Sequence, residues 1–139
     1  MVALEGSVPD PARPPQGCRF HTRCALVTPD CGWEVDDVVR WLESSEGMFD
    51  ALSGVARSSP FAADLAFADQ ASAERLAAAL RSDAVPAAMR AAMEELTVRG
   101  GTVTVRFREV DEVELTERGP GHVAACVLDR APREAATER

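Results

Sequence analysis

The sequence has no lysine, isoleucine, asparagine or tyrosine, and aromatic residues make up only 5% of its 139 positions. All fifteen basic residues are arginine. The missing amino acids share A/T-rich codons, which points to a G/C-rich genome and says nothing of mechanism. Absence of lysine excludes a phosphate-binding P-loop from this chain, because that motif uses a lysine on the β- and γ-phosphates. Long apolar runs are also lacking: charges interrupt each one within a few residues, so no transmembrane helix is expected. The first residues, Met1-Val2-Ala3-Leu4-Glu5, show no basic region followed by an apolar one, so no secretory signal is expected. The cytoplasm is therefore the expected compartment, and disulfides are a less favoured use of the four cysteines. A net charge of −8 argues against nucleic acid, whose phosphates reward clustered cations.

What remains is ordinary for one soluble domain: 46% hydrophobic and 27% charged residues. With so few aromatics, the core has to be built largely from Ala, Val and Leu. Cysteine is the exception to this even distribution. Cys18, Cys24 and Cys31 fall within a short stretch at spacings of five and six residues, and Cys126 follows about ninety residues later. The expected architecture is α+β. It consists of a small irregular cysteine-rich module carrying an inserted subdomain of about three helices and a short antiparallel sheet. In residue terms this means a Pro-rich arm and Cys cluster at 1–33, the inserted subdomain at 34–118, a closing strand with the fourth Cys at 119–129, and a disordered tail at 130–139.

Pro9, Pro11, Pro14 and Pro15 exclude helix and central strand from the arm. Gly17 permits a sharp turn into Cys18. The stretch 18–33 lacks periodicity and reads as a loop, with room for one helical turn between Cys24 and Cys31. From Asp36, a fair N-cap, the spacing of Val38, Leu42, Phe49 and Leu52 predicts amphipathic helix, broken at Gly47 and closed by Gly54. Leu65-Ala66-Phe67 is a short strand candidate. A helix over 71–81 buries Ala73, Leu76, Ala77 and Leu80. Another starts at Pro86 with Asp83 as cap, carries an apolar seam of Val85, Met89, Met93 and Leu96, and ends at Gly100-Gly101. Thr102–Arg108 alternates as a strand and is expected to form a hairpin with Val113–Thr116. Gly119-Pro120-Gly121 is a turn, and Val123–Leu128 is a strand that delivers Cys126.

Four cysteines in such a chain admit a structural zinc site, an iron–sulfur cluster or a thiol switch. Zinc sites usually contain a tight C-x2-C or C-x4-C knuckle, which is absent here. Iron–sulfur clusters spread their thiolates around a cube and accept looser spacing. A switch needs a close pair with one activated thiol, and Arg19 and Arg23 could supply the charge. His21 and His122 flank cysteines and could act as ligands or as donors to a ligand sulfur, or simply as hydrogen-bonded loop residues. Trp33, Trp41, Met89 and Met93 read as core. The pairs Asp36-Asp37 and Glu94-Glu95 read as solvated or helix-end charges. No arrangement of side chains suggests catalysis.

The string Leu4-Glu5-Gly6-Ser7-Val8-Pro9-Asp10-Pro11, followed by Pro14-Pro15-Gln16-Gly17-Cys18-Arg19-Phe20-His21-Thr22-Arg23-Cys24 and Cys31, resembles a known module. That module is the C-terminal domain of the ATP-binding subunits of oligopeptide/dipeptide ABC transporters. The family's closing H-x-V-A-C is represented by His122-Val123-Ala124-Ala125-Cys126, which has the same length and carries Ala124 at the motif's Val position. In some members the four cysteines hold a [4Fe–4S] cluster, so the resemblance implies Cys18, Cys24, Cys31 and Cys126 as ligands. It implies a non-enzymatic accessory domain, since the Walker motifs, the ABC signature and the switch histidine are missing from this chain. The implied partners are the ATPase core and the paired ATP-binding subunit, with no nucleic acid and no direct membrane insertion. The implied location is cytoplasmic, at the inner face of the membrane when held in a transporter complex. The spacer between Cys31 and Cys126 is longer than is typical of the family. Taken without the resemblance, the residues leave a free-standing zinc-stabilised interaction module or a thiol redox switch as alternatives.

Overall fold

A computed structural model describes residues 12, 14–113, 116–120, 122–124 and 126. The Leu4–Pro11 motif, the 130–139 tail and the far end of the strand expected at Val123–Leu128 lie outside the described residues. The chain divides into two compact units. One joins the residues up to Gly32 with those from Val110 onward; the other is Trp33–Glu109.

The second unit contains three α-helices among the described residues, and a four-stranded antiparallel sheet. Helix α1 is Val35–Ser44. It is capped by Glu34, not Asp36: the Glu34 N–H donates to Asp37 Oδ2 at 2.9 Å, and the Glu34 side chain reciprocates. Asp37 is buried, and Asp36 and Asp37 are the expected helix-end charges, standing in the first turn of α1, and not a solvated face. Val35, Val38 and Leu42 face the core. The helix stops at Ser44, just before the break expected at Gly47, where φ is 75°, and no second α-helix follows to Gly54. Residues Phe49–Ala51 form a 3-10 turn and Leu52–Ser59 form strand β1. Phe49 stays 42% exposed, so its helical spacing reflects no packing. Strand β1 escapes sequence reading because it lies at the sheet edge, with register shifts at both ends and mostly exposed side chains.

Strand β2, Ala62–Phe67, pairs on one side with β1 and on the other with β4, Thr102–Phe107. Strand β3, Met93–Arg99, completes the order β1-β2-β4-β3. Residues 93–96, expected in helix, are thus strand. Helix α3 is only Ala87–Ala92, with Pro86 at its cap position. The Gly100-Gly101 pair ends no helix; it forms the two-residue connection between Arg99 and its partner Thr102, with Gly100 at φ 57°. Thr97 and Val98 are β-branched, and pairing with β4 overrides the apolar seam that favoured helix. Arg106 of β4 pairs with Glu94 at 3.0 Å and Glu95 at 3.6 Å.

Leu65 lies opposite Val103 and Ala63 opposite Val105, so the buried side chains of β2 and β4 share one face. Helices α1 and α2 pack against strands of the sheet. Helix α2 is Gln70–Leu80 and buries Ala73, Leu76, Ala77 and Leu80, as expected. Trp33 and Met89 are buried, whereas Trp41 and Met93 are half-buried; the Trp41 Nε1–H donates to Ala84 O at 3.1 Å. The opposite face is polar, with Thr104 Oγ1 bonded to Asp64 Oδ1 at 2.6 Å.

Asp69 caps α2 by accepting from Ser72 N–H at 2.7 Å and from the Ser72 hydroxyl at 3.1 Å. These bonds hold its carboxyl below the usual range. Folding therefore favours the ionised form. The contribution is complete above the ordinary Asp value of about 3.9 and is lost as pH falls through the lowered folded value. Thermal melts across acid pH are expected to show wild type losing its advantage over Asp69→Asn in that window. A gap independent of pH would contradict the assignment.

In the first unit, β5 (Thr116–Gly119) pairs with β6 (His122–Ala124) around Pro120. The hairpin expected between 102–108 and 113–116 is not formed. Strand β4 uses both its edges on β2 and β3, leaving none for residues 113–116.

Candidate functional site: the cysteine loop

The loop from Cys18 to Cys31 is closed at its neck by backbone alone. The Cys18 N–H donates to Cys31 O at 2.8 Å. Gly17 and Gly32 lie back to back: a Cβ on Gly17 would sit 2.5 Å from Cys31 O and 2.8 Å from the Gly32 Cα. Gly32 follows the 3-10 turn Pro29–Cys31 at φ 99°, a left-handed cap conformation that favours glycine. Val110 covers both glycines, its Cγ2 3.0 Å and 2.9 Å from the two Cβ positions, and Gln16 Nε2–H donates to Val110 O at 3.1 Å. The chain therefore re-enters this unit at Val110, beside the glycine from which it departed.

Within the loop, short turns are made by Arg23 N–H to Phe20 O at 3.0 Å and Val27 N–H to Cys24 O at 3.3 Å. His21 is buried, and its Nδ1 lies 2.7 Å from Cys18 O. A carbonyl only accepts, so Nδ1 carries the proton, and the ring braces the loop just after the first cysteine.

Among the described residues, the sulfurs of Cys18, Cys24 and Cys31 accept backbone hydrogen bonds. Cys18 receives one from Phe20 N–H. Cys24 receives one from Leu26 N–H at 3.3 Å, and Cys31 one from Thr28 N–H, also at 3.3 Å. The first two are donated from two residues beyond the cysteine. Part of a metal knuckle's amide arrangement is thus present without its C-x2-C spacing. All four cysteines are free thiols; Cys31 is buried and the others are half-buried. Burial pushes the Cys18 thiol above its ordinary value against the pull of the Phe20 N–H, and the neighbouring Cys31, Cys126 and Cys24 push it up further. Cys18 thus lies within electrostatic range of the other three cysteines, including the one contributed from the far end of the chain. Among the described residues, no three His, Cys, Asp or Glu side chains gather closely enough to hold one metal ion.

Arg19 is exposed. Arg23 is half-buried, and its Nε is a buried donor with no acceptor among the described residues. The His122 side chain lies outside the described residues. Sequence reading missed Thr28, Gly32, Val110 and Gln16. Thr28 carried a usable signal: Thr28-Pro29-Asp30-Cys31 follows the capping-box spacing, with sulfur where a carboxylate usually stands.

Residues 1–31 match the family described as the C-terminal region of the oligopeptide/dipeptide transporter. The resemblance read from the Pro-rich and cysteine motifs is therefore upheld over that segment. A probable peptide ABC transporter ATP-binding protein, y4tS of Sinorhizobium fredii, is 53% identical over 38 residues, which is 27% of this chain and 11% of that protein. The oligopeptide transport ATP-binding protein AppF of Bacillus subtilis is 44% identical over 36 residues, 26% of this chain and 11% of its own. OppF of Escherichia coli, an oligopeptide transport ATP-binding protein, is 54% identical over 28 residues, 20% of this chain and 8% of its own. The chain thus spans about a tenth of the length of these curated relatives. No solved structure matches. Among the described residues, no helix is long and apolar enough to cross a membrane.

Proposed function

We propose that this chain is an accessory C-terminal region of a peptide ABC transporter ATP-binding protein, and that Cys18, Cys24, Cys31 and Cys126 hold a [4Fe–4S] cluster. The observation that carries the reading is the match of residues 1–31, which include Cys18, Cys24 and Cys31, to the oligopeptide/dipeptide transporter C-terminal region. Backbone N–H groups already directed at three of the sulfurs suit thiolate ligands, which accept and do not donate. The orphaned Arg23 Nε supports the same reading: a buried donor without an acceptor is costly, and a negatively charged thiolate-bound group would supply one.

When bound, the cluster supplies metal–thiolate cross-links and a one-electron redox couple. The protein's part is to hold four thiolates in place across the Gly17–Gly32 neck. The cross-links join residues 18–31 to Cys126 and remove the entropy of a loop of about a hundred residues. The unit at 33–109 contains none of the four cysteines and lies outside the ligand set. The partners in this reading are the ATPase core and the paired ATP-binding subunit, at the inner face of the membrane. Cluster oxidation there would alter how those subunits meet.

Anaerobically purified protein is expected to be brown, with iron and acid-labile sulfide in equal amounts, and each single Cys→Ser change at the four positions is expected to remove most of the iron. Colourless protein holding one zinc and no sulfide would replace this reading with a zinc-stabilised interaction module. A transporter whose Cys→Ser variants import peptide at the normal rate, with normal redox response, would end the sensing role.

A further inference from the structure

The two edges of the four-stranded sheet differ in how their main chain is covered. In β2, Phe67 N–H donates to Gly101 O at 2.7 Å, and just before the strand Phe61 O accepts from Phe107 N–H at 2.7 Å. Ala68 N–H donates to the other side, to Ala51 O at 3.0 Å. Main-chain direction alternates along an antiparallel strand, so Asp64 and Ala66 turn toward their β1 partners, Ala56 and Gly54. Val55 and Arg57 therefore turn their N–H and C=O groups to the outer edge, where no strand pairs with them among the described residues. The register shifts of β1 fall outside Gly54–Arg57, so this stretch is regular. The opposite edge is guarded: Arg81 Nη2–H donates to Leu96 O at 2.9 Å, and Glu94, Glu95 and Arg99 put charge along β3. Strand β1 holds neither proline nor an acid, and its single charge, Arg57, is paired with Asp36 at 2.8 Å. Gly54 and Ala56 are exposed, and a Cβ on Gly54 would meet nothing within 4 Å. An edge without such guards is a template for a further strand.

We propose that β1 is a self-association edge, pairing antiparallel with β1 of a second copy about a two-fold axis at Ala56, so that the two sheets join into one. The strand is its own complement in that register. Val55 and Arg57 of each copy exchange main-chain hydrogen bonds with Arg57 and Val55 of the other, using the groups left on the edge. Ala56 meets Ala56 at the axis, with no bulk or charge to oppose it. Val55, half-buried at the rim of the core, gains cover from the second strand. Charge selects this edge as well. A net charge of −8 opposes contact between copies, but β1 brings no carboxylate and its arginine is neutralised within its own chain. One short strand edge falls below the ~1,200 Å² of total surface that stable interfaces bury, so the dimer is weak and concentration-dependent. The pairing uses only the 33–109 unit and stands apart from the cysteine loop.

The test is sedimentation of the full chain in reducing buffer from micromolar to millimolar concentration, with amide exchange measured at both extremes. Wild type is expected to shift from monomer to dimer. The Val55 and Arg57 amides are expected to gain protection with concentration, while that of Ala56, turned toward β2, stays protected throughout. Ala56→Lys and Ala56→Glu each set like charges opposite each other at the axis, and each is expected to weaken the dimer at least about tenfold. An equimolar mixture of the two is expected to restore association to the wild-type level or beyond. Arg57→Pro removes an outward N–H without breaking a bond to β2 and is expected to weaken the dimer as well. Thr97→Glu, on β3, is expected to change nothing. Should R57P fail to fold, the charge pair still decides, because Ala56 is exposed. A chain that is monomeric at every concentration would overturn the proposal. So would a dimer that A56K and A56E leave intact, a mixture of them that stays monomeric, a dimer lost in T97E, or protection gained only at other amides.

Discussion

Gly17→Ala is expected to open the cysteine loop and, under the cluster reading proposed above, to abolish iron retention while leaving the 33–109 unit folded. The added methyl would stand 2.5 Å from Cys31 O, 2.8 Å from the Gly32 Cα and 3.0 Å from Val110 Cγ2. Two of those three atoms are backbone, so no side-chain rotation relieves the contact. Relief requires separating the two strands of the neck, which breaks the 2.8 Å bond from Cys18 N–H to Cys31 O and parts the first and third cysteines. Overpacking of this kind costs about 1–3 kcal/mol and at a backbone crossing belongs at the upper end. Gly54→Ala is the matching control, since a Cβ there meets nothing within 4 Å. Iron analysis and amide exchange at Cys18 read the result. Wild-type iron content and protection in the Gly17 variant would show that the neck does not hold the loop.

Phe107→Ala is expected to give the opposite pattern, with the 33–109 unit destabilised by about 3–5 kcal/mol and iron content kept. Phe107 is fully buried at the end of β4, and its N–H donates to Phe61 O at 2.7 Å, tying β4 to the turn between β1 and β2. Truncation leaves a cavity at a fully buried position opposite Met93 of β3. Domains of this size have a total stability of about 5–15 kcal/mol, so the loss is a large fraction of it. Urea unfolding followed by Trp33 and Trp41 fluorescence reports on this unit alone, because both tryptophans lie within it. A midpoint shift worth less than about 1 kcal/mol would mean that Phe107 is not the core residue described here. Iron lost in parallel with unfolding would mean that the two units do not fold independently.

Local patterns were readable wherever one element supplied its own signal. The stripe Ala73, Leu76, Ala77, Leu80 needed only a 3.6-residue period, and the alternation of Val103, Val105 and Phe107 needed only a period of two. Three expectations failed for a common reason. Leu52 belongs to β1 rather than to helix, Met93 and Leu96 belong to β3, and Val113 is not the partner of β4. Each error put an apolar residue in a plausible local pattern that strand pairing overrode, with Ser59 meeting Ala62 and Arg99 meeting Thr102 across short hairpin turns. Strand β3 is recruited by the free edge of β4, and β1 by that of β2.

The cysteine loop divides along the same line. By itself, the sequence determined the four thiols, the Pro-Pro-x-Gly-Cys entry, the missing lysine that excludes a P-loop, and the resemblance over residues 1–31. Residue identity is enough for each of these. Only the tertiary structure decided that Gly17 and Gly32 cross back to back under Val110, that Cys18 lies within electrostatic range of Cys126, and that the Thr28 N–H reaches the Cys31 sulfur. Close backbone approach and charge coupling depend on distance in space, and about ninety residues of intervening chain conceal that distance from any reading of the sequence in order.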